Sequence, residues 1–242
     1  MRPLPPIAFV RDQTILTSRA LPTRPDGNAL WHITTPQGAY VIRQRLRDDT
    51  DLQTEIAMTR MAGRIGIAPA LVAHEGDAVV MRYIHGTHKH TLTRADMHRL
   101  SAAIASLHRQ PPPSPQCPRI DLSERIRPDR PEVREAFATL RRFRAPLVPS
   151  HNDLTPRNIL WESDRVWLVD FEYSGLNDPC FDLAAVSVEF DLTDHDRELW
   201  RTICQTHTPC PEPKFAALQT LYRALWRQWE ADIAHRSSAQ QT

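Results

Sequence analysis

The run His151-Asn-Asp153-Leu-Thr-Pro-Arg-Asn158 has the form H-x-D-x-x-x-x-N, and Asp170-Phe171-Glu172 follows it beyond two apolar stretches. Those stretches, Ile159-Leu-Trp161 and Val166-Trp-Leu-Val169, flank the polar Glu162-Ser-Asp164. The pattern predicts a tight hairpin that brings Asn158 and Asp170 together in space. Two oxygen-bearing side chains at the ends of a hairpin suit Mg²⁺, which needs only one or two protein oxygens when water and phosphate fill its other positions. A transferring phosphoryl group has a loose transition state, so its catalysis is mainly positioning and charge neutralisation. Asp153 is then spaced to take the proton of an attacking hydroxyl, a role typically contributing about 10²–10⁴-fold. His151 is expected to brace the loop rather than move protons. Asp and Asn are also common turn residues, and either alone would say little. The joint spacing points to phosphoryl transfer from ATP to an alcohol.

The elements that must position these residues fall into two groups. Residues 1–85 read as mostly β. Ala29–Ile33 and Ala39–Arg43 are β-prone runs around a turn-rich bridge, and Ile67–Val72 and Ala78–Tyr83 are strand candidates around Glu75-Gly-Asp77. A helix is expected from Asp51 to about Ile65, giving five short strands with one inserted helix. From Gly86 the chain turns helical. Thr93 and Asp96 resemble a capping box opening a helix on Leu100, Ile104 and Leu107, which the prolines from Pro111 to Pro115 must end. Further helices are expected at Pro131–Phe143, Asp194–Thr206 and Lys214–His235. The expected fold is α+β and two-lobed: a β-rich nucleotide-binding lobe over 1–85, and a helical catalytic and acceptor-binding lobe over 86–242, with the ligand site in the cleft between them.

The block from His151 through Val169-Asp-Phe-Glu-Tyr-Ser-Gly-Leu-Asn-Asp-Pro-Cys-Phe-Asp-Leu-Ala184 resembles the choline/ethanolamine kinases within the aminoglycoside-phosphotransferase-like superfamily, which has the protein-kinase-like fold. The resemblance implies Asp153 as catalytic base, Asn158 and Asp170 as Mg²⁺ ligands, and Asp182 as an acid that hydrogen-bonds the catalytic-loop backbone. A kinase of this fold also needs a strand cation paired to a helix glutamate to hold the α- and β-phosphates. Arg43 and Glu55 occupy those places, with arginine where protein kinases carry lysine; its fixed fork can clamp phosphate bidentately. A surface Arg–Glu pair is the bland alternative. The phosphate-covering loop is reduced to Pro25-Asp-Gly27-Asn28, and Met81 to Gly86, including Tyr83, stands where a hinge would bind adenine.

For the acceptor, Tyr222, Trp226 and Trp229 recur at i, i+4 and i+7 on the last helix. Trp226 and Trp229 resemble the paired tryptophans with which choline kinases enclose a quaternary ammonium, each desolvated ring attracting a cation by about 0.5–2 kcal/mol. Glu172, Asp178 and Glu189 could add negative charge there. An aromatic helix face is equally a core face. Thiamine kinase-like proteins are similar in Tyr40-Val-Ile-Arg-Gln44 and Leu107-His-Arg-Gln-Pro111, so thiamine stands beside choline and ethanolamine as acceptor. A polycationic aminoglycoside would call for an acidic C-terminal lobe, which the sequence lacks. A kinase-like binding protein without turnover would be expected to have lost Asp153, Asn158 or Asp170.

Thirty basic and 29 acidic side chains give a formal net charge of +1, which offers no argument for nucleic acid or an anionic membrane surface. Four cysteines without a C-x-x-C pair fit a reducing compartment. No run reaches the apolar length of a membrane span. The expectation is a cytoplasmic protein with no obligate protein partner.

Overall fold

The computed structural model describes residues 3–23, 27–46 and 50–239, with side chains as far as Asp232. The chain opens with a short helix α1 (Ala8–Arg11), followed by strands β1 (Thr17–Ala20), β2 (Ala29–Thr35) and β3 (Gly38–Gln44). Helix α2 (Leu52–Arg64) intervenes before β4 (Leu71–Glu75) and β5 (Ala78–Arg82). The five strands form an antiparallel sheet in the order β1-β2-β3-β5-β4, with Trp31 opposite Ile42 and Ile42 opposite Val80. Side chains alternate across the sheet. Trp31, Ile33, Tyr40, Ile42 and Val80 pack on the outer face with Ile7 of the N-terminal segment, while Phe9 of α1 meets Tyr40 edge-on at 5.0 Å. Leu30, Val41, Arg43 and Met81 take the opposite face and line the cleft.

Helix α2 begins where Asp51 accepts hydrogen bonds from the N–H groups of Gln53 and Thr54 at 3.0 and 3.3 Å. The strand expected at Ile67–Val72 begins only at Leu71. Ala62, in the last turn of α2, accepts from Ile67 and Ala68, and Pro69 has no N–H to give a ladder. Ile67 instead accepts from Leu168 at 2.7 Å, tying the end of α2 to the other lobe.

The connection between lobes is closely packed. Thr87 and Trp161 exchange backbone hydrogen bonds at 2.9 Å, and a Cβ on Gly86 would stand 3.0 Å from Leu160 Cβ and 3.2 Å from the Trp161 carbonyl. Glycine is what lets the linker approach so closely.

The second lobe holds α3 (Arg94–His108), α4 (Leu122–Arg125), α5 (Pro131–Leu140), β6 (Val148–Ser150), β7 (Ile159–Glu162), β8 (Arg165–Leu168), β9 (Gly175–Asn177), α6 (Pro179–Glu189), α7 (Asp194–Gln205) and α8 (Glu212–Ala239). The expected capping box is present: Asp96 N–H donates to Thr93 and Thr93 N–H to Asp96. Helix α5 stops at Leu140, three residues short of expectation, and α8 is longer at both ends. Helix α6 was not foreseen. Its residues from Cys180 to Ser187 are all buried, so it carries no amphipathic period to read. Helices α5 and α6 both pack on α8, and Trp200 of α7 donates to the Leu183 carbonyl at 2.9 Å from a fully buried site. The four cysteines are buried and unpaired. Among the described residues no helix is long and apolar enough to cross a membrane. The architecture is the two-lobed α+β arrangement expected of a protein-kinase-like fold.

Candidate active site

The loop between β6 and β7 carries the predicted motif, and its shape is set from below. Asp182, fully buried on α6, accepts from the N–H groups of His151 and Asn152 at 3.0 and 2.8 Å, and its Oδ2 lies 3.0 Å from His108 Nε2. Burial alone would raise its carboxyl, but the hydrogen bond and charge of His108, with those of His151, outweigh it and hold the group below the usual carboxylate range. Asn152 is left-handed, at φ 67°, and is secured by donating to the Tyr173 carbonyl at 3.0 Å and accepting from Asn177 at 2.8 Å. His151 Nε2 sits 3.0 Å from the Val169 carbonyl, and burial lowers its proton affinity. An imidazole buried here and bonded to the Val169 carbonyl is a brace. His108, Asn152 and Asn177 escaped the sequence reading; a histidine on the buried face of α3, four residues beyond Ile104, was the available signal.

At the top of the loop, Asn158 Nδ2 donates to Asp153 twice, to its carbonyl at 2.8 Å and to Oδ2 at 2.7 Å. Asp153 is half-buried on the cleft wall. Burial first, then the negative charges of Asp170, Glu172 and Glu189, push its carboxyl up to about 7, with the Asn158 hydrogen bond pulling the other way. The hairpin β7–β8 joins Asn158 to Asp170 as expected, through a turn at Ser163 with φ 51°. Asp170 itself is left-handed at φ 66°, a strained conformation for a non-glycine residue.

The donor set fits a hard cation. Asp170 Oδ1 is buried without a hydrogen-bond donor, with the nearest guanidinium nitrogen, Arg43 Nη1, at 3.6 Å. The Asn158 amide nitrogen is committed to Asp153, which leaves its oxygen as the available ligand. An orphaned carboxylate oxygen facing an amide oxygen across a hairpin is what a Mg²⁺ ion with a water- and phosphate-filled shell would complete.

Arg43 and Glu55 form an ion pair and are only 3% and 4% exposed, so the pair is not a surface one. Arg43 Nη1 also stands 3.7 Å from Glu172 Oε2, which accepts from Asn28 Nδ2 at 2.9 Å. Glu172 therefore lies with Arg43 and Asn28, where a phosphate chain would run. Asn28 and Gly27 line the same end of the cleft; Pro25 and Asp26 lie outside the described residues. Met81 and Tyr83 reach the cleft as expected, but their backbones are occupied. Met81 pairs with Val41 and Leu71, and Tyr83 N–H donates to Ala39 at 3.0 Å. The Tyr83 ring contacts His32 and His85 at 4.3 and 4.9 Å. Among the described residues Ile84 is the first linker position whose backbone has no such partner, and it too lines the cleft.

One cavity of about 1110 Å³ is lined by Asn28, Arg43, Ile84, Asn158 and Asp170 and continues past Asp153 to α8. There Trp226 and Trp229 meet edge to face, with ring centroids 5.0 Å apart. Tyr222 is buried, contacts Phe181 at 5.7 Å and donates to Glu189 Oε1 at 2.9 Å; Trp226 Nε1 donates to the same oxygen. Burial, followed by the charges of Asp153 and Glu189, raises the Tyr222 phenol well above its usual value. All three rings line the cavity, Tyr222 buried at its base and Trp226 and Trp229 half-buried on its wall. Asp178 is not part of the wall: it caps α6 by accepting from Cys180 and pairs with Lys214 at 2.7 Å.

Residues 26–203 match the phosphotransferase enzyme family. The chain belongs to that family. Protein LicA of Haemophilus influenzae is 48% identical over 59 residues, a stretch that is 24% of this chain and 22% of that protein, so the match spans less than a quarter of the curated relative. Among solved structures, a choline/ethanolamine kinase family protein from Mesorhizobium loti superposes with a TM-score of 0.78 at 22% identity, covering 96% of this chain and 84% of the other. The choline kinase LicA from Streptococcus pneumoniae gives 0.74 at 20% identity, covering 92% and 86%. At these identities the structural likeness is one of fold.

Proposed function

We propose that this phosphotransferase transfers the γ-phosphoryl group of ATP, with Mg²⁺, to the hydroxyl of a small cationic alcohol, choline or ethanolamine. The observation that carries the reading is the convergence in one cavity of Asp153, Asn158 and Asp170, with the buried Arg43–Glu55 pair on one side and the Trp226–Trp229 pair on the other. The division of labour is between a nucleotide lobe, residues 1–85, and a catalytic and acceptor lobe, residues 86–242.

In this reading the adenine edge meets the linker backbone at Ile84, because Met81 and Tyr83 are already hydrogen-bonded. Arg43 grips the phosphate chain, its fork held in plane by Glu55. Asn158 and Asp170 would hold the magnesium, which when bound neutralises phosphate charge and orients the γ-group. Asp153 Oδ accepts the proton of the acceptor hydroxyl as oxygen attacks phosphorus. Its raised proton affinity matches that task near neutral pH. Asn158 fixes the rotamer of Asp153, and Asp182 fixes the loop that carries it.

A cationic head group is supported by two half-buried tryptophans on the cavity wall and by the carboxylates of Asp153 and Glu189 near them. The likeness to protein LicA of Haemophilus influenzae, and in fold to the choline kinase LicA from Streptococcus pneumoniae, supports the same acceptor class. The test is ADP release with choline, ethanolamine, thiamine and an amino sugar, with and without magnesium. Turnover confined to choline or ethanolamine is the expected result. Turnover of thiamine alone would move the acceptor assignment, and no turnover with any alcohol would overturn the enzyme reading.

A further inference from the structure

The part of the cavity wall that adjoins α8 is not a helix of the main bundle but an irregular stretch, residues 117–127, pinned at both ends to parts of the chain far from it in sequence. At its start Ile120 N–H donates to the Leu176 carbonyl at 2.8 Å, and Leu176 N–H donates to the Pro118 carbonyl at 2.7 Å, so the stretch lies along β9 as a short parallel pairing. Gly175 makes this contact possible: a Cβ there would meet the Pro118 carbonyl and Ile120 Cδ1 at 2.9 Å each. In its middle Asp121 accepts from Ser123 N–H at 2.8 Å and starts the single turn α4, while Cys117, Ile120 and Ile126 are buried beneath it.

At the far end Ile126 is buried in the core, and the backbone on either side of it is registered by one side chain. Gln228 of α8 accepts from Arg127 N–H at 3.1 Å and donates from Nε2 to the Arg125 carbonyl at 2.9 Å. Both partners are backbone groups, so the amide fixes the register of the chain and not the position of a side chain. The nearby Arg127–Asp232 contact, at 3.5 Å between exposed groups, adds little. Gln228 also stands between Trp226 and Trp229 in sequence and lines the cavity with them, while Leu122, Glu124 and Arg125 line it from the strap. The distance between these two walls is what a bound head group must fit.

We propose that residues 117–127 form a strap closing the acceptor end of the cleft, and that Gln228 is the positioning residue that sets its height over the tryptophans and so the size of cationic head group admitted. This rests on the acceptor reading above and adds a determinant of selectivity to it. Releasing the amide leaves Pro118 and Ile120 anchored on β9 and Ile126 in the core, and removes what sets the register of the backbone at Arg125 and Arg127. The nucleotide end of the cleft, built on Arg43, Asp170 and the linker, is untouched by the change.

The experiment is steady-state kinetics of Gln228→Ala and Gln228→Glu against the unmodified enzyme, with choline and its bulkier triethyl analogue as acceptors. Gln228→Ala is expected to raise the KM for choline about tenfold, to leave the KM for ATP within about twofold, and to narrow the preference for choline over the analogue. Gln228→Glu keeps the acceptor for Arg127 N–H, loses the donor to Arg125, and is expected to fall between. Equal rises in both KM values, or no change in the choline KM or in the preference, would overturn the strap's role. Should Gln228→Ala fail to fold, the isosteric Gln228→Glu carries the same comparison. An unmodified enzyme inactive on both alcohols would instead overturn the acceptor reading, which is a separate outcome.

Discussion

The two ends of the cleft are built by different means. Under the catalytic loop, polar groups are buried and almost fully matched: Asp182 takes two backbone N–H groups and His108, Asn152 is bonded on both sides of its amide, and Asn158 binds Asp153 twice. Around the acceptor end aromatic and aliphatic side chains mix with a few polar ones at the rim, and the backbone of the strap's far end is registered by a single glutamine. A buried, satisfied polar network tolerates few alternatives, because any missing partner leaves a desolvated group unpaired. Apolar walls accept changes of volume at modest cost. The contrast separates chemistry, which is fixed, from selectivity, which can drift on the same scaffold.

The comparison can be broken most directly at Asp153. Asp153→Ala is expected to lower kcat by about 10²–10⁴-fold with near-normal ATP affinity, read by single-turnover kinetics and nucleotide titration. Retention of turnover would mean the fixed end is not where the proton moves. At Arg43, Arg43→Lys keeps the charge and loses the fork; the ATP KM should rise about tenfold with the choline KM little changed, the mirror image of a change on the acceptor wall. Asp182→Asn tests the network itself. A carboxylate held below its ordinary value stabilises the fold above its unfolded pKa of about 4, and that contribution is lost as pH falls through the folded value. The variant should lose about 1–3 kcal/mol at pH 7 and show a flatter stability profile on acidification, measured by urea midpoints across pH. An unchanged slope would show that Asp182 is not what acid attacks. The smallest effect is expected at Trp229→Ala, about 0.5–2 kcal/mol in choline binding with ATP unaffected. Equal losses for both ligands would make the ring a packing element after all.

The catalytic motif was legible because its parts are local. Asp153, Asn158 and Asp170 are joined by one loop and one hairpin, so spacing alone brings them together. Arg43 and Glu55 were readable from a strand followed by a helix, although only the structure shows that they are buried. What escaped the sequence was made by distant pairing. His108 reaches Asp182, Asn177 reaches Asn152 and Gln228 reaches residues 125–127, each across long stretches of chain with no periodic signal to announce it. Strands β6 and β9 have three residues each, too few to alternate visibly, and α6 is buried on every side from Cys180 to Ser187. The contact of Glu172 with Asn28, on the other lobe, was illegible for the same reason.

The end of α2 has a mechanical consequence. Met58, Met61, Ala62, Ile67 and Ala68 belong to the same packed core as α3 and α6, and Ile67 is bonded to Leu168. The helix is thus anchored to the larger lobe while the sheet beside it has a separate core of its own. If the lobes rock apart to admit nucleotide, the sheet must slide over α2, and the joint that feels the motion first is Arg43 against Glu55. The same ion pair that aims the phosphate grip would then serve as the catch that reports whether the jaws are shut.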